Sequence, residues 1–170
     1  MGSLIELYPQ RVNQVLNNKP ILANLQALLS QVPPVPDSYN ALVFFLPKLL
    51  QNFNGFKLEV SPPLQQEFFS FHYELLDKLD GDDKTAKEDW VMGVCNYSDN
   101  PGVESILLNH GVHDFAIQRI LENKEPYITR LCVGILRNLF WEGKQEVFEA
   151  VVGSEERCAL FLQALCVVFD

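Results

Sequence analysis

Leu131-Cys132-Val133-Gly134-Ile135-Leu136-Arg137-Asn138-Leu139-Phe140-Trp141 is the stretch on which the fold turns. With the residues just before it, it predicts a helix over Tyr127–Trp141. Leu131, Cys132, Ile135, Leu136, Leu139 and Phe140 recur at helical spacing and form one continuous apolar stripe fit for burial. Arg130, Val133, Gly134, Arg137, Asn138 and Trp141 form the opposite stripe, the candidate partner-binding face. An asparagine amide both donates and accepts, so Asn138 suits either the main chain of an extended peptide or a bond to a neighbouring helix. Arginine and tryptophan are enriched at binding hot spots. Two alternatives stay open at this point: Trp141 packing on a following helix, and Arg130 and Arg137 pairing with Glu125, Glu142 or Glu146.

Similar wording occurs upstream. Trp90–Asn96 (WVMGVCN) aligns with Cys132–Asn138 (CVGILRN), placing Asn96 and Asn138 42 residues apart. Asn96 thereby joins the candidate partner-binding residues. The same shift carries Gly111 to Gly153 and brings Ile106–Leu108 near Val147–Glu149. A slightly larger shift sets Phe115–Leu121 near Leu160–Leu165. A period of about 40–47 residues built from two or three helices belongs to armadillo and HEAT arrays. The expected fold class is therefore all-α, an armadillo/HEAT-like right-handed helical solenoid with a divergent N-terminal helical cap.

Working outward, turn signals divide the second half into helices expected over Glu88–Tyr97, Gly102–Asn109, Asp114–Asn123, Tyr127–Trp141, Gln145–Val152 and Glu155–Phe169. Asn100-Pro101-Gly102, His110-Gly111 and Glu142-Gly143 lie between them. Upstream, prolines separate shorter helical segments, because proline lacks an amide donor and restricts its predecessor. Phe56–Val60 is the one candidate for a short extended piece. The run Lys78–Asp89 (KLDGDDKTAKED) holds little to bury and reads as a boundary. The expected organisation is an N-terminal helical region over 1–79, an acidic linker over 80–89 and armadillo-like repeats over 90–170. A calcium loop starting at Asp80 is excluded, since the positions needing glycine and glutamate hold Thr85 and Val91.

The stretch Val103–Leu139, with Gly111 at its turn and Leu131-Cys132-Val133-Gly134-Ile135-Leu136 and Asn138 as its most specific wording, resembles the serum amyloid A-like family of intracellular armadillo-like proteins. The resemblance covers about half of the chain and implies a scaffold that binds other proteins. In an armadillo superhelix the Arg130–Trp141 stripe would line the concave groove. The chain departs from nuclear-import adaptors, whose AxWALxN pattern carries tryptophan where this sequence has Gly134.

The remaining composition bounds the function classes. At 170 residues and 48% apolar content, the chain can bury about 70% of its unfolded surface, which excludes a disordered or low-complexity class. The net charge of −9 is uneven: residues 1–60 carry +1 and the rest −10. An acidic surface repels phosphate backbones and anionic lipid heads, so neither nucleic acid nor membrane is an expected partner. Cys95, Cys132, Cys158 and Cys166 lie in apolar helical contexts without a CxxC pair and read as buried free thiols of an intracellular protein.

His110-Gly111-Val112-His113-Asp114 is the one cluster resembling metal ligands, and it lacks a third ligand nearby. A small metal-binding or catalytic all-α domain centred on His110 and His113 is the alternative reading. A structural subunit of a larger assembly is another. His72, beside Phe71 and Tyr73, reads as a helix residue with a satisfied ring nitrogen. No phosphate loop, dinucleotide fingerprint or nucleophile elbow is present. The expectation is a non-enzymatic scaffold with no cofactor and no metal, binding another protein or an extended peptide. Glu155–Phe169 is apolar nearly all round. Leu162, Leu165, Cys166 and Phe169 are therefore expected to meet a second copy of the chain, as a homodimer, or a continuing repeat.

Overall fold

The computed structural model describes residues 23, 24, 27, 66, 67, 69, 70, 72–74 and 84–169, the last through its backbone alone. Among the described residues every regular element is α-helix, and the chain is all-α. Phe56–Val60, the proline-divided helices between 28 and 65, residues 80–83 and the side chain of Phe169 lie outside the described residues. The chain divides into two compact units, residues 1–96 and 97–170.

In the first unit the described residues from 66 to 74 are helical, and helix α1 spans Lys84–Ser98. Its last two residues, Tyr97 and Ser98, belong to the second unit. The acidic run expected as a linker over 80–89 is therefore helix from Lys84 onward. Lys84, Ala86, Lys87 and Glu88 are good helix formers, and Lys84 Nζ lies 3.7 Å from Glu88 one turn on. A solvated first turn and a linker share one composition, so charge alone does not separate them. Phe69, His72, Trp90, Val91 and Val94 are buried. His72 and Trp90 form a reciprocal pair. Trp90 Nε1 donates to the His72 carbonyl at 2.6 Å, His72 Nε2 donates to the Trp90 carbonyl at 3.1 Å, and the rings stack 4° from parallel. Burial, partly opposed by the bond to Trp90, pushes the His72 pKa down to about 3, so the ring is neutral.

The second unit holds α2 (Glu104–Asn109), α3 (Val112–Glu122), α4 (Pro126–Trp141), α5 (Gln145–Val152) and α6 (Glu155–Phe169). Each boundary has a local cause. Gly111 turns the chain between α2 and α3 at φ +68°, a conformation that disfavours any side chain. Asn123, at φ 41°, stops α3 with its amide bonded to the Arg119 carbonyl. Glu125 is extended, as the residue before a proline tends to be, and Pro126 opens α4 where its missing amide costs little. The helix α3 starts two residues earlier than the sequence suggests, at Val112. Asp114 consequently stands in its first turn, with no cap bond, and faces Arg157 at 3.7 Å.

Helix α5 lies against α2 and α6 against α3, and α3 also carries α4. Of the helices that the repeat alignment pairs, α2 and α5 touch, as do α3 and α6, which are paired only at the larger shift. The two glycines that the alignment pairs differ in backbone conformation: Gly153 has φ −70° and Gly111 has φ +68°. Along α4 the apolar stripe faces inward: Cys132, Ile135, Leu136 and Leu139 are buried, with Leu131 and Phe140 partly so. A buried charge also holds this unit. Glu104, 3% exposed, meets Lys144 Nζ at 2.8 Å, and Lys144 also reaches Glu142 at 2.9 Å. The carboxylates of Glu104 and then Glu142, both within ion-pair distance, push the Lys144 ammonium above its ordinary range. The pair ties the turn before α5 to the start of α2.

Candidate functional site

The outward stripe of α4 divides into residues already engaged and residues free to meet a partner. Asn138 Nδ2 donates to Ser98 Oγ at 3.0 Å, while its Oδ1 accepts from Arg137 Nε at 3.1 Å and Nη2 at 2.8 Å. The asparagine thus ties α4 to the end of α1, and its carbonyl is filled by the adjacent guanidinium. Arg130 and Arg137 are exposed, and among the described residues neither is within ion-pair distance of Glu125, Glu142 or Glu146. Trp141 is 82% exposed, so no described helix packs on it. Asn96 is half-buried in α1, in the first unit.

Val133 and Arg137 lie on the wall of an open groove of about 190 Å³ between α4 and α6. The α4 side is Val133, Leu136, Arg137 and Phe140; the α6 side is Phe161, Ala164, Leu165 and Val168; Ile120 of α3 completes the lining. Each wall is an i, i+3, i+4, i+7 set, the spacing of one helix stripe. Arg137 is the single charged residue of the lining, and every other lining residue is apolar. Phe140 meets Phe161 across the groove with ring centroids 5.5 Å apart. Leu165, placed by its sequence on the exposed C-terminal face, faces the same groove as Val133 and Arg137. Two surfaces that the sequence treats separately therefore converge.

Helix α6 itself is largely uncovered. Ala164 is its one buried apolar residue among those described, whereas Leu160, Leu162, Leu165, Cys166 and Val168 are exposed, Leu162 to 54%. This corrects the expectation of four buried thiols. Cys132 is buried, Cys95 and Cys158 are half-buried, and Cys166 is exposed on α6; none of the four is in a disulfide.

The histidine cluster does not converge. His110 Nδ1 donates to the Ile106 carbonyl at 2.8 Å, a bond within its own turn. His113 is buried with neither ring nitrogen hydrogen-bonded, although Nε2 stands 3.5 Å from Asp114 Oδ2. Burial lowers its pKa first and Arg157 lowers it further, against the pull of Asp114. Among the described residues no three His, Cys, Asp or Glu side chains come together as a metal would require. No described helix is long and apolar enough to cross a membrane.

No known family, curated protein or solved structure matches this chain. The site accordingly stands on its own geometry. Sequence reasoning missed the groove as a unit because it treated the α4 stripe and the exposed face of α6 as separate surfaces. The available signal was the matching stripe spacing of 133, 136, 137, 140 and 161, 164, 165, 168. It also missed the Glu104–Lys144 pair, for which residues 40 apart in the chain leave no local signature.

Proposed function

We propose that this chain is a non-enzymatic interaction scaffold of the armadillo-like helical type, intracellular, docking another protein through the face formed by α4 and α6. The single observation that carries this reading is the open apolar groove with Arg137 in its wall. Burying that apolar lining against a partner would be favourable at about 25 cal/mol per Å². The stacking of α5 on α2 and of α6 on α3 supports the armadillo-like arrangement, since such arrays grow by laying equivalent helices side by side. Exposed Arg130 and Trp141, on the same outward stripe of α4 as Val133 and Arg137, supply residue types that dominate binding hot spots. Four cysteines with no disulfide among them fit a reducing compartment.

The test is affinity capture from cell lysate with the wild-type chain, a Leu165→Glu variant in the groove and a Leu162→Glu variant on α6 outside the groove lining. Proteins retained by wild type and Leu162→Glu but lost with Leu165→Glu are the expected result. Identical partner lists for all three would refute the groove as the docking surface.

A further inference from the structure

We propose that the α4/α6 groove receives an acidic amphipathic α-helix of a partner protein, laid beside α4. This deepens the interaction reading above and rests on it. The physical case begins with the backbone of the occupant. An extended peptide must satisfy its amides and carbonyls against the surface it covers, and unpaired buried backbone groups are rare for good reason. Eight of the nine lining residues are apolar, so the groove offers no ladder of donors and acceptors. Asn138, the residue suited to holding an extended main chain, is instead bonded to Ser98 and Arg137. A helix satisfies its backbone internally and needs only an apolar face.

The packing rows give the position. Helix α2 has α5 as its lateral neighbour and α3 has α6, whereas the groove occupies the corresponding place beside α4, next to α6. Each wall spans seven residue steps, about 10 Å of helix axis, which matches two turns of a facing helix. Side chains at i, i+3, i+4 and i+7 on both walls are the ridges between which such a helix would set its own.

Charge decides the chemistry. Helix α4 carries Arg130 and Arg137 and no acidic residue, and the stretch 158–169 of α6 is uncharged. Arg137 bonds the neutral Asn138 amide, with no carboxylate among the lining residues. An incoming carboxylate next to the groove would make a charge-assisted contact there, while an incoming lysine would be repelled. The chain as a whole is acidic, so a preference for an acidic helix must come from this local patch.

Two fluorescein-labelled 18-residue helical peptides provide the probe. Both carry leucine at 1, 4, 5, 8, 11, 12 and 15; the first bears glutamate on its polar face and the second lysine. The expected result is binding of the glutamate peptide at least fivefold tighter than the lysine peptide. That preference should vanish in an Arg130→Gln/Arg137→Gln variant, and the affinity should fall at least tenfold in Leu165→Glu. Val168→Glu, also at an exposed groove position, should repeat that loss, and circular dichroism should show wild-type helix content in each variant. Equal binding of the two peptides, tighter binding of the lysine peptide, or no binding would overturn the proposal. A wild-type dimer that Leu165→Glu converts to monomer would also overturn it, assigning the groove to a second copy. Loss of lysate partners with Leu165→Glu alongside no binding of either peptide would overturn the helix and leave the interaction reading standing.

Discussion

The buried, neutral ring of His72 should make the first unit acid-sensitive, by an amount that follows from its depressed pKa. His72 is fully buried, stacked on Trp90, and its one bonded ring nitrogen donates to the Trp90 carbonyl. Its pKa lies at about 3 in the folded chain against 6.5 for an exposed histidine. Between those values the unfolded chain binds the proton and the folded chain does not. Stability is therefore intact above about pH 6.5 and is lost as pH falls from there toward 3. Integration of that linkage gives a loss of about 0.8 kcal/mol at pH 6 and about 2 kcal/mol at pH 5. Carboxylates titrate mostly below this window, so a His72→Gln variant isolates the histidine contribution.

The assay is urea unfolding at pH 7, 6 and 5 in a Trp141→Phe background, leaving buried Trp90 as the fluorescent reporter of its own unit. Wild type should lose about 2 kcal/mol between pH 7 and 5, and His72→Gln, though less stable at pH 7, should show a nearly flat profile. Equal slopes for the two would refute the placement of His72 as a buried neutral ring. A slope of opposite sign would refute it as well, since that would require a partner stabilising the imidazolium.

Three other perturbations probe the second unit. Lys144→Met strands the buried Glu104 carboxylate and should cost about 2–3 kcal/mol, at the lower end for a broken buried pair because Lys144 is itself one-third exposed. A Glu104→Gln/Lys144→Met double variant should recover part of that loss in a urea-denaturation cycle. Ser98→Ala removes the partner of the Asn138 amide and should destabilise by about 1 kcal/mol without altering helix content. Gly111→Ala meets no atom within 4 Å but must hold φ +68°, so thermal melting should report a cost of about 1 kcal/mol from backbone strain alone.

Much of the local structure was legible in the sequence. Pro126 after Glu125, Gly143 after α4 and the start of α5 and α6 at Gln145 and Glu155 follow from turn chemistry. The acidic run was less legible, because Lys84–Glu88 reads equally as a solvated helix start and as a linker. Within α4, four of the six residues assigned to the inner stripe, Cys132, Ile135, Leu136 and Leu139, are buried, since helical periodicity is a property of one element and needs no neighbour. Leu131 and Phe140 are only partly buried, and Ile128, left out of the stripe, is buried as well.

By itself, then, the sequence determined that the protein is all-α, where most helices of its second half begin and end, and which face of α4 turns inward. Those features depend on interactions within a few residues. Only the tertiary structure decided what each face meets. It committed Asn138 to Ser98, 40 residues away, buried Glu104 against Lys144, and set Val133 and Arg137 opposite Leu165 across one groove. Side chains from different helices come together through the packing of whole elements, and the spacing of residues along a single helix does not encode that arrangement.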